Sequence, residues 1–238
     1  MASSAKIQNG WREILARVYA LDASTQAQAD ISRFKIGEGG SSGGVPITPD
    51  ETYTDLESEG AALASGGTAV FTNGIKIVTG TGTNFTADVS AGEWIKPGPT
   101  FSGVGATPQS AGDPGSEYDE WGEVDTVDSP TQITLISNYT GATTAVAREV
   151  RKAAEPLFTF RKTLTTADVL YSSGLPAITE VTMNVLSGEA NSDQLGNDPD
   201  FYECAVFDSN GVMVAYMTMD LQTKIVGVQL VNVIDMVF

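Results

Sequence analysis

The first clear periodicity in the chain is helical and lies near its N-terminus. Within residues 7–19, the apolar residues Trp11, Ile14, Leu15 and Val18 follow the i, i+3, i+4, i+7 spacing that places them on one face of a helix. A stripe this short does not stabilise an isolated helix. We therefore expect an N-terminal helix that packs on its own domain, with docking on a partner as the alternative.

From residue 31 onward, the hydrophobic pattern is that of short strands separated by turns. The predicted strands are 31–36, 68–72, 75–79, 94–96, 121–127, 133–136, 157–160, 179–185, 201–207 and 212–217. Asn-Gly dipeptides at 73–74 and 210–211 each separate two of these segments, which is a strong hairpin signal. The β-branched run 225–238 predicts one strand buried on both faces, or two shorter strands, and such an apolar strand must be paired in a sheet or an oligomer.

The composition changes between residues 65 and 149, where Thr and Gly dominate. Closely spaced short strands with turn residues between them predict a small all-β barrel or sandwich. We expect residues 65–149 to be a module inserted into a discontinuous domain made of 1–64 and 150–238, because insertions succeed at exposed loop tips. The predicted fold class is mainly β: a small β-barrel or sandwich module inserted into a β-rich α+β host domain with an N-terminal helix.

The charge balance and the missing residue types exclude several function classes. The 238 residues include 30 acidic and 13 basic ones, for a net charge of −17, with no histidine and one cysteine, Cys204. Without histidine, Ser-His-Asp and Cys-His catalysis and most zinc and iron sites are excluded. A surface this negative repels phosphate backbones and anionic membranes. We expect a non-enzymatic structural or binding protein with no cofactor, no nucleic acid and no membrane among its partners.

One segment concentrates acidic residues, and it has three interpretations. Its acids are Asp113, Glu117, Asp119, Glu120, Glu123, Asp125 and Asp128. A solvated loop is favoured; a carboxylate pair for glycoside hydrolysis would need a dry pocket that only Tyr118 and Trp121 could supply. Calcium is the third interpretation, for this segment and for the Asn/Asp-rich stretch 191–200, but neither has the spacing of a calcium loop. A related alternative makes the long loop 96–120 a receptor contact, with Glu117, Tyr118, Asp119 and Trp121 facing the receptor.

Five of the thirteen bases fall within fifteen residues, and they are the candidate subunit contacts. They are Arg148, Arg151, Lys152, Arg161 and Lys162. Nucleic-acid binding would need stacking aromatics, but Phe158 and Phe160 fit a strand that faces the core. We expect the bases to pair with acids on a neighbouring domain or subunit, with Trp11 as a further subunit contact.

Two parts of the sequence resemble proteins of tailed bacteriophages. Residues 31–50 (ISRFKIGEGGSSGGVPITPD) and 189–216, with FYECAVFDSNG at 201–211, resemble the attachment domain of phage tail-collar and tail-fibre proteins. The chain departs from that family at Cys204 and Ala205, where an aliphatic residue and Gly are more usual.

The second resemblance lies in the predicted module. The segments 72–85 (TNGIKIVTGTGTNF), 89–95 (VSAGEWI) and 124–139 (VDTVDSPTQITLISNY) are similar, in order, to a small β module that is widespread in phage virion proteins. The likeness breaks at residues 96–119, where a long polar loop replaces a tight turn.

Together, the resemblances imply a structural component of a tailed-phage virion. Such a protein would be made in the host cytoplasm and would sit at the tail tip, baseplate, neck or collar. It would link a fibre or a neighbouring ring to the particle, with other virion proteins and further copies of itself as partners. The alternatives are a tail-fibre protein that binds a host surface receptor or glycan, and a surface-glycan hydrolase.

Overall fold

The computed structural model describes residues 4–7, 31–98, 121–172, 178–209 and 211–237. The described part of the chain is mainly β, with 49% in strands and 4% helical, which confirms the predicted class. In chain order, the strands are β1 Ser4–Ile7, β2 Ile31–Gly37, β3 Ser41–Ser42, β4 Val45–Pro46, β5 Ala61–Ala62, β6 Thr68–Val70, β7 Ile77–Thr81, β8 Trp94–Pro97, β9 Gly122–Ser129, β10 Gln132–Leu135, β11 Arg148–Ala153, β12 Thr159–Thr163, β13 Val169–Ser172, β14 Ile178–Val185, β15 Asp200–Asp208, β16 Met213–Thr223 and β17 Leu230–Val237. A single-turn helix α1 spans Phe85–Asp88, and a 3-10 turn spans Glu57–Glu59.

Six of these strands close into a barrel in the order β11-β6-β7-β10-β9-β8. Closure depends on β11, because Arg148 and Glu149 pair with β6 on one edge while Val150 to Ala153 pair with β8 on the other. The interior is filled by alternate residues of the strands and by the α1 phenylalanine, as expected for a small barrel. Its fully buried side chains include Ala69, Phe71, Val78, Phe85, Ile95, Val124, Ile133, Leu135 and Val150.

The rest of the described chain forms a two-layer sandwich. A five-stranded sheet in the order β1-β16-β15-β2-β12 packs on a three-stranded sheet in the order β13-β14-β17. Side chains along each strand point alternately to the two faces of its sheet, and those on the facing sides form the core between the two sheets. Phe34, Cys204 and Val206 come from the larger sheet, and Val181 and Ile234 from the smaller one. The buried Phe160 lies in the same core, as the strand pattern predicted.

Both predicted hairpins form. β6 pairs with β7 and β15 with β16. In the first, the amide of Ile75 donates to the carbonyl of Thr72, and Gly74 has a φ of 78° while Asn73 keeps a negative φ. This is the pattern of a type II turn rather than the type I′ turn that Asn-Gly favours. The side-chain amide of Asn73 donates to the carbonyls of residues 140 and 141, which fixes the turn against the segment that follows β10.

Near both termini, the structure differs from the elements that the sequence pattern predicts. Ile7, the first residue of the predicted helix, ends strand β1, which pairs with β16 and had no sequence signal. Residues 8–30, including Trp11, lie outside the described residues. The C-terminal run is a turn followed by the single strand β17, and that strand is buried on one face only: Ile234 is buried while Val233 is 45% exposed.

The barrel strands run from Thr68 to Ala153, so β11 crosses the predicted module boundary at residue 149. The sandwich strands come from both sides of the barrel in the sequence. The division into an inserted module and a host domain stays a prediction.

Candidate functional site

The segment 51–60, which we call the strap, lies on the face of the five-stranded sheet opposite the sandwich core. Leu56 is buried against Phe207 and Tyr216, and the ring of Tyr53 meets that of Tyr216 edge-on at 5.4 Å between centroids. The strap ends in the 3-10 turn, which directs the side chain of Glu59 toward the barrel. The charged junction that this turn creates is the candidate site.

Glu59 is fully buried and is bonded to three cations from both parts of the fold. Its Oε1 accepts from Lys35 Nζ at 2.8 Å, and its Oε2 accepts from Lys96 Nζ at 2.8 Å. Arg161 donates to both carboxylate oxygens, at 3.2 and 3.1 Å. Lys35 lies on β2 and Arg161 on β12 of the sandwich, whereas Lys96 lies on β8 of the barrel. One carboxylate therefore ties the two parts together.

The charges at this junction compensate one another. Burial disfavours the ionised form of Glu59, but Arg161, Lys35 and Lys96 together hold the pKa of this carboxyl well below its usual value. Lys35 also pairs with Asp55 at 2.6 Å, so two carboxylates face three cations. A buried ion is tolerated only with charged partners and hydrogen bonds, and removing one partner leaves the others uncompensated.

Trp121 closes the junction beside Lys96. The Lys96 ammonium lies 4.7 Å from the centroid of the Trp121 ring, a cation–π contact in a dry setting. The indole N–H donates to the carbonyl of Leu157 at 2.9 Å, and the Gln194 side chain bonds both backbone groups of Trp121. A residue at the start of barrel strand β9 is thus anchored to two loops of the sandwich.

The strap is also fixed to the barrel through its backbone. Immediately after the 3-10 turn, β5 pairs with Arg151 and Lys152 of β11. The Arg151 guanidinium donates to the carbonyl of Gly60 at 3.2 Å. Main-chain pairing and buried charge therefore act at the same place.

A second buried carboxylate, Glu203, holds the start of the 3-10 turn. It accepts from the amides of Glu57 and Ser58 at 2.9 and 2.7 Å and from the hydroxyl of Tyr216 at 2.8 Å. Burial raises its pKa to about 7, even though these hydrogen bonds act in the opposite direction. Gly39 leaves room for this carboxylate, because a Cβ there would lie 2.5 Å from Glu203 Oε1.

Glu38 acts in the same way at the neighbouring edge. Its carboxylate accepts from the amides of Phe158 and Asp200 at 2.8 and 3.2 Å, which joins the starts of β12 and β15. Burial raises its pKa to about 7 as well. Two carboxyls that titrate near neutrality therefore lie within the sheet that carries the junction.

Gly60 gives a direct test of close packing at the junction. It has φ 76° and ψ 171°, a conformation available almost only to Gly, and a Cβ there would lie 2.6 Å from the Trp121 ring. We expect Gly60→Ala to lower the free energy of unfolding by about 3 kcal/mol or more, from backbone strain and the clash. Gly43→Ala is the matched control: its φ is 59° with nothing within 4 Å, so it should cost only the strain, about 1–2 kcal/mol. Equal losses in urea unfolding would show that the junction is not closely packed.

The five predicted contact bases all have acceptors within the chain. Arg161 bonds Glu59 and Lys162 bonds Glu189, while Lys152 bonds Glu93 and the carbonyl of Asp88. Arg151 pairs with Glu149, and Arg148 donates to the carbonyl of Gly98. Most of these contacts lie within the barrel or within the sandwich, and a role for the cluster between domains or subunits stays a prediction.

Of the four predicted receptor-facing residues, only Trp121 lies in the part of the chain that the structure describes. Trp121 is only 4% exposed and is enclosed by the junction, so its ring is not presented to a receptor. A tryptophan next to a long polar loop gives no sign of this, because the contact depends on the distant Lys96, Leu157 and Gln194. Glu117, Tyr118 and Asp119, like the subunit-contact candidate Trp11, lie outside the described residues.

Two of the acids that the sequence offers as calcium ligands, Asp128 and Asp193, are engaged with protein donors. Asp128 accepts from Thr126, Gln132 and Thr134, which lowers its pKa. Asp193 accepts from the amides of Leu195 and Asn197 in a turn. Over the described ranges, no group of three or more acidic or cysteine side chains is arranged to hold a metal ion.

Sequence reasoning missed the residues that build the junction. Lys35 and Lys96 alternate with apolar residues on their strands, which is typical of a solvated strand face. Both are 2% exposed because the strap and Trp121 cover that face. Only the alternation itself indicates that β2 has a polar face opposite its core face, and nothing in the sequence indicates what covers it.

Comparisons with known protein families, with curated proteins and with solved structures found nothing that matches the chain. In the part of the chain that the structure describes, no helix has the length and apolar character needed to span a membrane.

Proposed function

We propose that this chain is a structural component of a tailed-phage virion, a rigid connector that joins a fibre or a neighbouring ring to the particle and holds its β-barrel in a fixed orientation. The observation that carries the proposal is the junction at Glu59, where a buried carboxylate binds Lys35 and Arg161 of the sandwich and Lys96 of the barrel. A flexible linker would suffice to tether two independent modules. A desolvated ion network is costly to build, and it has the effect of fixing their relative orientation.

The resemblances in the sequence support the same role. The segments similar to the phage attachment domain contribute β2 and the β15–β16 hairpin of the sandwich. The segments similar to the phage virion module contribute strands β7 to β10 of the barrel. Each resemblance thus corresponds to one structural part, and the junction lies between those parts.

A connector also needs surfaces that bind its neighbours, and one end of the sandwich provides such a surface. Four exposed apolar side chains lie there, and we call them the apolar tip: Leu186, Ile225, Val226 and Val228. The amide of Gly227 donates to the carbonyl of Ser187, which brings the two loops together. Val226 is 66% exposed, and the segment 224–229 carries no acid in a chain of net charge −17. An apolar projection without acidic residues is suited to a contact with another virion subunit.

The test is incorporation into particles. In purified virions, we expect the chain as an integral protein in a fixed number of copies. Val226→Lys should fold normally but lower incorporation by about tenfold or more, since a central apolar anchor typically contributes about 2 kcal/mol or more. Incorporation is measured by quantitative mass spectrometry of particles assembled with each variant.

Val146→Lys is the matched control, because Val146 is 70% exposed on a barrel loop away from the apolar tip. It should incorporate like the unmodified protein. Equal incorporation of the two variants would rule out the apolar tip as the contact. Absence of the chain from purified particles would overturn the virion role itself.

A further inference from the structure

Lys224 is a buried lysine whose acceptors are both neutral. It follows β16 directly and has no exposed surface. Its Nζ donates to Asn191 Oδ1 at 2.8 Å and to the carbonyl of Ile225 at 3.3 Å. Among the described residues, the other two buried lysines, Lys35 and Lys96, both pair with Glu59, whereas Lys224 makes no ion pair. A buried ammonium without a counter-ion is costly, and the usual response is loss of its proton.

A buried carboxylate, Glu189, lies two residues before Asn191. Glu189 is 4% exposed, and its Oε2 accepts from Lys162 Nζ at 2.8 Å and from the amide of Leu186 at 2.9 Å. Its Oε1 is also buried, yet it has no hydrogen-bond partner among the described residues. An unsatisfied carboxylate oxygen in a buried position calls for an explanation. One buried oxygen of Glu189, whose charge acts on Lys224, is therefore able to accept a proton.

We propose that Lys224 and Asn191 react to form an intramolecular amide bond between Nζ and Cγ, with release of ammonia and with Glu189 carrying the protons. The three groups required are a buried lysine, a side-chain amide whose oxygen accepts from that lysine at 2.8 Å, and a buried carboxyl whose charge acts on the lysine and whose Oε1 has no hydrogen-bond partner among the described residues. All three belong to this chain, and no oxidant, metal or co-substrate is needed.

The reaction balances as an acyl transfer. The neutral amine of Lys224 attacks Cγ of Asn191 and forms a tetrahedral intermediate. Glu189 takes a proton from the attacking nitrogen and returns it to the departing nitrogen, which leaves as ammonia. The carbon–nitrogen bond of the Asn191 amide breaks, a new one forms to Nζ, and no group is oxidised or reduced.

The environment favours Lys224 over the other buried lysines as the nucleophile. Burial lowers the pKa of Lys224, with only a partial opposing effect from the charges of Glu189 and Asp198. Lys35 and Lys96 instead each form an ion pair with Glu59 and lie next to no side-chain amide in those contacts. Asn191 is also the better acceptor, because an amide is neutral whereas Asp55, the neighbour of Lys35, is a carboxylate.

The bond would be a covalent cross-link between the two layers of the sandwich. Asn191 lies in the connection after β14 of the small sheet, and Lys224 lies at the end of β16 of the large sheet. A covalent link there restricts the unfolded chain as a disulfide does, in a protein whose single cysteine cannot supply one. It would also fix the loop that carries part of the apolar tip.

The test is the intact mass of the purified full-length chain, followed by sequencing of its proteolytic peptides by tandem mass spectrometry. We expect a mass lower by one ammonia than the sequence requires, and a branched peptide that joins Lys224 to Asn191. Lys224→Arg and Asn191→Ala should each have the full mass for their sequence. Glu189→Gln should retain the groups that react but form the link much more slowly, as followed by mass against time in a mildly alkaline buffer.

Two substitutions control for other losses of ammonia. Asn197→Ala changes another asparagine of the same loop, and Lys76→Arg changes a lysine that bonds the carbonyl of Ile136 in the barrel. Both should keep the branched peptide. Full mass in the unmodified chain after prolonged incubation, or ammonia loss that persists in Lys224→Arg, would overturn the proposal. Unchanged kinetics in Glu189→Gln would overturn the role of Glu189.

Discussion

Replacing Glu59 by Gln is expected to lower the free energy of unfolding by about 3–5 kcal/mol. The amide keeps the shape of the side chain but removes the negative charge that Lys35, Lys96 and Arg161 share. Lys35 and Lys96 stay buried, and the ion pair of Lys35 with Asp55 stays in place. Urea unfolding followed by circular dichroism measures the loss.

Glu155→Gln is the matched control for this substitution. Glu155 is exposed and lies only two residues after β11, so the same chemical change there should alter the free energy of unfolding by less than about 0.5 kcal/mol. A loss at Glu59 as small as that at Glu155 would mean that the junction contributes nothing to stability.

The second large effect is a dependence of stability on pH with two opposing parts. Glu38 and Glu203 have pKa values of about 7 in the folded chain, against about 4.3 for an unfolded Glu. Their contribution to the free energy of unfolding is fully present below the unfolded pKa of about 4.3 and is lost as the pH rises through 7. The pKa of Glu59 is lowered, so its contribution is present above about 4.3 and is lost as the pH falls. Stability should therefore be greatest at about pH 4.3, and it should fall by about 3 kcal/mol for each raised carboxyl as the pH passes from 5 to 8, with most of that loss complete by about pH 7.

Glu203→Gln isolates the alkaline side of this profile. The substitution removes one of the two raised carboxyls, so the loss of stability between pH 5 and pH 8 should shrink by about 3 kcal/mol relative to the unmodified chain. Glu155→Gln should leave the profile unchanged. Parallel profiles for the unmodified chain and the Glu203 variant would contradict a raised pKa for this carboxyl.

The elements with local signals were predictable, and those set by distant partners were not. The barrel hairpin follows from Asn73 and Gly74 between two β-branched segments, and the β15–β16 hairpin from its own turn residues. Strand β1 is different, because Ile7 fits a helical stripe and forms a strand only by pairing with β16. The uniformly β-branched sequence of the C-terminal run predicts two buried faces, whereas the pairing of residues 230–237 with β14 decides which single side meets the core.

The junction shows the limit of sequence reasoning more clearly. The sequence shows the cluster of bases around Arg161 and indicates that they pair with acids. Arg161 bonds the buried carboxylate of Glu59, which lies 102 residues away in the sequence. Nothing local distinguishes Glu59 from the other acids of the strap. Likewise, the sequence offers the side-chain oxygen of Asn191 as a ligand, but the contact of Asn191 with Lys224 spans 33 residues and depends on how two loops meet.

The most direct test of a rigid connector is native-state hydrogen exchange at the slowest amides of both parts. Val78 and Ile133 report on the barrel, and Val181 and Val206 on the sandwich. If the Glu59 network makes the two parts one cooperative unit, all four amides should exchange with the same free energy of opening, and Glu59→Gln should make the barrel and sandwich values differ. Different values for barrel and sandwich in the unmodified chain would contradict the account, because the two parts would then open independently.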